Sequence, residues 1–227
     1  MSPSTTLLNT AEAITQRRAV RGFLPKPVPE SLLREVFELA QRAPSNCNTQ
    51  PWLVEVVSGA QLQQLRQRLQ AAAIDPSQHR PDLPYDGRYD GVYKERQFDA
   101  AAQLYAAMQI PREDKAGRAA GFLRNFACFD APHAAFIYLP PGFGLREAAD
   151  CGMYAQTLML ALTAHGLASC PQTALSFQPH ILRELLGVPE GRQLLLGISF
   201  GYEDPGVAAN QCRVGRASLT DSVRFHG

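Results

Sequence analysis

Hydrophobic residues recur at helical spacing in several parts of the chain. Between residues 30 and 42, Leu32, Leu33, Val36, Phe37, Leu39 and Ala40 form a stripe of helical period, which predicts an amphipathic helix. Pro29 suits its first turn, and the preceding Pro25-Lys26-Pro27-Val28-Pro29 predicts an extended connection. Upstream, Asn9 and Glu12 have the spacing of an N-cap and its N3 partner. A helix over residues 11–18 follows, with Arg17 and Arg18 in its last turn. Residues 61–73, 92–108, 112–126 and 178–186 read as further helices. Residues 146–165 form a longer one, apolar nearly all round, with Gly166 placed as its C′ residue. Such a helix must be buried on most sides, in a core or in a subunit interface.

Three short apolar runs predict strands: residues 53–57, 133–139 and 193–200. Helices outnumber strands and separate them, which predicts an α+β or α/β layered domain with a mixed central sheet covered by helices. Residues 75–91 are rich in Pro, Asp, Gly and Tyr and predict a surface loop. The whole chain, 1–227, therefore reads as one domain carrying a helical insertion at about residues 75–126. From Pro205 onward the residues are polar and irregular, a tail expected to dock on a partner subunit.

Composition narrows the class. The chain has 227 residues, 45% hydrophobic and 19% charged, with a net charge of +1. A disordered chain would be poorer in apolar residues and further from neutrality, and a nucleic-acid binder would carry a basic face. The length suffices to bury a core without disulfides or a structural metal. The five cysteines are odd in number and scattered, which fits reduced thiols and a cytoplasmic setting. Met1-Ser2-Pro3-Ser4-Thr5-Thr6 lacks a basic region followed by an apolar stretch, so no secretory signal is expected. No uninterrupted apolar run of about 20 residues suggests a membrane span.

Standard catalytic machinery is not signalled. There is no glycine-rich phosphate loop and no H-E-x-x-H, and the five histidines lie far apart, so no metal site is expected. Three polar groups remain: Arg17, Arg18 and Arg21; Ser45, Asn46, Asn48 and Gln50; and Arg213 with Arg216. Each has a plain structural reading: helix-dipole compensation, an Asx-rich turn, solvated cations. Together they make a chain rich in hydrogen-bond donors but without an obvious acid, base or nucleophile, which points to a cofactor that carries the chemistry. A phosphate dianion without a glycine-rich cradle needs guanidinium groups.

Arg17-Arg18-Ala19-Val20-Arg21-Gly22-Phe23 and Ala43-Pro44-Ser45-Asn46-Cys47-Asn48-Thr49-Gln50-Pro51-Trp52 resemble the FMN-dependent nitroreductase family. The helix at residues 150–167, the loop Cys170-Pro171-Gln172, the segment Gly197 to Tyr202 and Arg213-Val214-Gly215-Arg216-Ala217 follow in the family's order, so that the resemblance spans about residues 10–225. Nitrobenzoate-reductase-like members look nearest. The resemblance implies an α+β nitroreductase-like fold and an intertwined homodimer, whose C-terminal arm, about residues 205–227, wraps the partner. It implies bound FMN, NADH or NADPH as electron donor, and ping-pong two-electron reduction of a small nitroaromatic or quinone through flavin N5.

Residue by residue, the resemblance gives Arg17 the FMN phosphate. Arg18 and Ala19 fall along the ribityl chain and phosphate, and Arg21 beside the pyrimidine. Pro44, Ser45 and Asn46 approach the flavin from the other subunit, with Asn48 and Gln50 in or behind the pocket. Pro171, Gln172 and Thr173 form the segment whose backbone N–H, that of Thr173, faces N5. Arg213 and Arg216 form a C-terminal basic pair on the phosphate. Ala19 departs from the common Ser, and the pair's spacing of three leaves open which arginine reaches the phosphate. The same fold is also compatible with a flavin or enone reductase, a reductive dehalogenase, a flavin-destroying enzyme, or a non-catalytic flavin carrier or sensor.

Overall fold

The computed structural model describes residues 7–227; residues 1–6, on which the expectation of no secretory signal rests, lie outside the described residues. The chain opens with α1 (Thr10–Gln16). Asn9 Oδ1 accepts the Glu12 N–H at 3.0 Å and Glu12 returns the contact at 2.9 Å, the reciprocal cap that the spacing predicts. Then come α2 (Glu30–Ala40), β1 (Leu53–Ser58), α3 (Gly59–Ala73), α4 (Gly91–Ala107), α5 (Lys115–Leu123), β2 (His133–Leu139), α6 (Leu145–Ala164), β3 (Ala168–Gln172), α7 (Pro179–Leu186) and β4 (Gln193–Gly201).

The four strands form one sheet in the order β1-β2-β4-β3, and every ladder between them is antiparallel. The expected mixed sheet is thus corrected: among the described residues, parallel pairing is confined to the isolated bridge Ala19↔Ser169. β2 is central and buried along its full length. Its alternate side chains serve two cores. Ala135, Ile137 and Leu139 pack with Val36 and Ala40 of α2 and with Tyr154, Leu158 and Leu162 of α6. Ala134, Phe136 and Tyr138 pack with Leu62, Leu65 and Leu69 of α3 and Ile181 and Leu182 of α7. This two-sided burial is why the sequence of β2 reads as a continuous apolar run.

Two expectations near the future site change. The helix stops at Gln16, so Arg17 is its C-cap and Arg18 lies beyond it, in extended chain that pairs with β3. The segment Cys170-Pro171-Gln172, expected as a loop, belongs to β3. Pro171 is tolerated there because β3 is an edge strand.

α6 is buried on the side facing the sheet, but Ala149, Gly152, Met153 and Gln156 are exposed at i, i+3, i+4 and i+7 spacing. α4 has no buried residue, and Val92, Tyr93 and Phe98 on it are exposed. The tail divides. The turn Ala208–Gln211 docks on its own chain, burying Ala209 and Asn210, whereas residues 213–227 are exposed throughout. Among the described residues, no helix is long and apolar enough to cross a membrane.

Candidate functional site

The extended segment after α1 is stitched to the far end of the sheet. Val20 N–H donates to Ser169 O at 3.0 Å, Leu24 N–H to Tyr202 O at 2.9 Å and Asp204 N–H to Gly22 O at 3.1 Å. Val20 and Phe23 drop into a small core with Phe129, Ala131 and Cys170. The polar residues between them therefore face outward as a group.

Arg17 and Arg21 are half-buried, and neither guanidinium donates a hydrogen bond or meets a carboxylate among the described residues. Burial, and then the neighbouring charge of Arg216, hold the Arg17 guanidinium below its ordinary range. Both Arg17 and Arg21 act on Cys170 beneath them. Burial pushes its thiol up to about 11, against the pull of the two cations. A reactive thiolate is thus disfavoured at Cys170, where the sequence left a nucleophile conceivable. Arg216 donates only to the carbonyls of Val214 and Gly215, and Arg213 to those of Asn210 (2.6 Å) and Cys212 (3.0 Å). Arg216 thus lies near Arg17, Asn210 links the Arg21 backbone to Arg213, and among the described residues none of the four guanidinium groups meets a carboxylate. Crowded like charges are unfavourable unless an anion joins them. The donor set fits a phosphate dianion.

Arg18 does not share that freedom. It pairs with Glu203 at 2.5 Å, locking the segment to the end of β4. Ala19 contributes backbone pairing to Ser169.

Next to this group, β3 ends at Gln172 and a short turn, Thr173–Ser176, begins. The turn lies tight against β4. A Cβ on Gly197 would stand 2.6 Å from Leu175 Cδ1, so only glycine permits this approach. Pro171 and Thr173 are exposed. As the first residue of the turn, Thr173 has an N–H that the turn itself does not use. The Gln172 side chain points inward instead. Its amide donates to Asn125 O at 2.9 Å and its carbonyl accepts from the Ser199 hydroxyl.

The second polar group sits elsewhere. Pro44, Ser45, Asn46, Asn48 and Gln50 surround the turn Asn46–Asn48, and Cys47, Asn48 and Gln50 adopt left-handed backbone (φ 50°, 55° and 48°). Strain of this kind persists only where surrounding contacts hold it. Here Gln50 N–H donates to Ser45 Oγ at 2.9 Å, Gln50 Nε2 to Asn48 O at 3.1 Å, and Asn46 N–H to the buried Asp150 carboxylate of α6 at 3.1 Å. Trp52 follows, stacked on Tyr154 with ring centroids 5.0 Å apart.

Among the described residues, no hydrogen bond or ion pair joins the two groups within one chain. The loop binds α6 at Asp150, and Leu8, just before α1, donates its N–H to Ala164 O at the other end of α6, at 3.3 Å. Two clefts, of about 440 Å³ beside Arg183 and Arg192 and about 490 Å³ between Pro84 and Tyr89, are lined by neither group. No cluster of three or more His, Cys, Asp or Glu side chains among the described residues has the geometry to hold a metal ion.

Sequence reasoning missed Glu203, Asp150 and Asn210, the residues that position these groups. Only Asp150 left a signal, as a charged interruption of an otherwise apolar helix.

The model of the nitroreductase family matches residues 14–202. The chain is 48% identical over 226 residues to "Nitroreductase NfnB" of Mycolicibacterium smegmatis, covering 98% of this chain and 95% of that protein. It is 34% identical over 218 residues to a 4-nitrobenzoate reductase of Pseudomonas putida, covering 94% of each. Among solved structures, the FMN-dependent nitroreductase NfnB from Mycobacterium smegmatis in complex with NADPH superposes with a TM-score of 0.91 at 47% identity, covering 96% of this chain and 97% of that one. The FMN and NADPH-dependent NfnB from Sphigopyxis sp. strain HMH gives 0.93 at 36% identity, with 97% and 100% covered.

Proposed function

The chain belongs to the nitroreductase family, and from that premise we propose that it is an FMN-dependent NAD(P)H oxidoreductase that reduces small nitroaromatic compounds, with quinones as a second class of acceptor. The observation that carries the reading is Arg17 beside Arg216, two cations crowded together without an acid. When bound, FMN supplies the redox chemistry, taking a hydride from NAD(P)H and handing an electron pair to the acceptor.

The chain's own residues bind, orient and shield. Arg17 and Arg216 hold the phosphate, and the charge of Arg216 beside Arg17 supports Arg216 over Arg213 for this role. Arg21 would serve the flavin pyrimidine, where a guanidinium favours negative charge on the ring. The backbone N–H of Thr173 would orient the ring. Arg18 and Gln172 serve from behind, through Glu203 and through Asn125 with Ser199. Ala19, lacking the hydroxyl of serine, contributes main chain only.

Pro44, Ser45, Asn46, Asn48 and Gln50 are assigned to the same site through a second copy of the chain; in support, among the described residues no hydrogen bond joins this loop to the Arg17–Arg21 segment of its own chain. A two-fold homodimer meets this need and covers the exposed stripe of α6 and the bare α4. Residues 213–227 form the arm that reaches the partner. The five free thiols suit the cytoplasm.

The test is anaerobic. The purified protein is expected to carry flavin absorbance that bleaches with NADPH or NADH and returns on adding 4-nitrobenzoate. Protein isolated without flavin, or flavin that no nicotinamide bleaches, would overturn the reading.

A further inference from the structure

Asn210 is almost sealed from solvent, at 1% exposure, although it lies at the start of an otherwise exposed tail. Its side chain uses both of its ends. Oδ1 accepts the Arg21 N–H at 2.6 Å, and Nδ2 donates to Gly22 O and to Asp204 O, each at 2.9 Å. Its backbone carbonyl accepts from Arg213 Nη1 at 2.6 Å. One residue therefore joins three segments that are remote in sequence: the extended chain after α1, the end of β4 and the C-terminal tail. Beside it, Gly22 lets the tail approach. A Cβ at Gly22 would stand 2.5 Å from Val207 Cγ2, so the seat admits no side chain.

Asp204 N–H also donates to Gly22 O and Arg18 pairs with Glu203, but among the described residues it is Asn210 whose hydrogen bonds reach both Arg21 and Arg213. Arg213 and Arg216 follow the docked turn Ala208–Gln211 within a few residues, in chain that is otherwise exposed. Their distance from Arg17 and Arg21 is set by where that turn sits.

We propose that Asn210 is a positioning residue that assembles the phosphate-binding arginines from the two ends of the chain. This rests on the reading of Arg17 and Arg216 as a phosphate site. Asn210 touches neither cofactor nor substrate. It holds the Arg21 backbone and the Arg213 guanidinium in one frame, so that Arg216 reaches Arg17. A buried amide with all its partners used is costly to disturb, because truncation strands the Arg21 N–H and takes one of two donors from each of the Gly22 and Asp204 carbonyls.

The experiment uses the full-length apo-protein and two ligands that differ by the phosphate alone. FMN and riboflavin are titrated by flavin fluorescence against wild type and Asn210→Ala. The expected result is a loss of FMN affinity of at least about tenfold with riboflavin affinity within about twofold of wild type. Equal losses for both ligands would reduce Asn210 to general support of the fold and overturn the proposal, as would unchanged FMN affinity. Should Asn210→Ala fail to fold, Asn210→Asp replaces it. It keeps the acceptor for Arg21 but turns a second oxygen toward two carbonyls, and the same split between ligands is expected. Wild-type protein that binds riboflavin as tightly as FMN would overturn the phosphate reading itself, and this proposal with it. A wild-type preference for FMN that survives in the variant overturns only the role of Asn210.

Discussion

The Asp150 carboxylate accepts the Asn46 N–H at 3.1 Å from within the buried face of α6. This contact fastens a loop whose backbone is left-handed at three non-glycine positions. Asp150→Ala strands that N–H and is expected to cost about 1–3 kcal/mol of stability. It should also lower kcat/KM for 4-nitrobenzoate by releasing the loop. Asp150→Asn, which retains an acceptor oxygen, should recover most of both. Urea unfolding and steady-state rates on the pair of variants check the expectation.

Arg17→Ala removes a guanidinium from the crowded cluster. Loss of a charge-assisted contact to phosphate predicts weaker FMN binding by about 1.5–3 kcal/mol. Arg17→Lys should fall between, since an ammonium cannot grip the dianion with two parallel bonds. Fluorescence titration of the apo-proteins with FMN measures both. Full retention of flavin by Arg17→Ala would show the phosphate to be held elsewhere.

His133 gives the fold a dependence on pH. It accepts the Val28 N–H on Nε2 at 2.9 Å, leaving Nδ1–H for Ser58 Oγ at 2.5 Å, and its ring stacks on Phe200. Burial lowers its pKa in the folded state. The unfolded chain therefore takes up the proton first, near pH 6.5, and stability falls as pH drops below that value. Above it both states are neutral at this site and the contribution is constant. His133→Gln, whose carbonyl can still accept from Val28, should show a shallower decline between about pH 6.5 and 5 in urea-unfolding series.

Gly152 separates the monomer from the dimer reading. A Cβ there meets nothing within 4 Å in the single chain, and a longer side chain at an exposed helical site should stabilise a lone subunit by up to about 1 kcal/mol. In a dimer packed along the exposed stripe of α6, Gly152→Glu places a charge in the interface. The expected outcome is a monomer by light scattering that has lost its flavin. A stabilised variant of unchanged mass and colour would sink the packing along this stripe.

Most elements are legible in the hydrophobic pattern because they bury a face: α2, α3, α6, α7, β1, β2 and β4 lie within a residue or two of their expected bounds. β3 is not. Ala-Ser-Cys-Pro-Gln carries no β-branched run, and it holds a strand only by lying along β4 at the sheet edge. Strand direction is equally invisible to periodicity, which explains the expectation of a mixed sheet. The early end of α1 has a tertiary cause: Arg17 is drawn off the helix so that Ala19 can pair with Ser169. At the site, the arginines were findable because they cluster in sequence. Glu203, Asp150 and Asn210 were not, since each is a single polar residue whose partner lies between 104 and 189 positions away.

The proposed sharing of each cleft, with Arg17 from one chain and the Asn46 loop from the other, has a genetic consequence. If each cleft draws one half from each subunit, two differently crippled chains can rescue one another. A chain lacking Arg17 and a chain with a ruined loop would each be inactive alone. Co-expressed in equal amounts and pairing at random, they would leave about a quarter of all clefts with both halves intact.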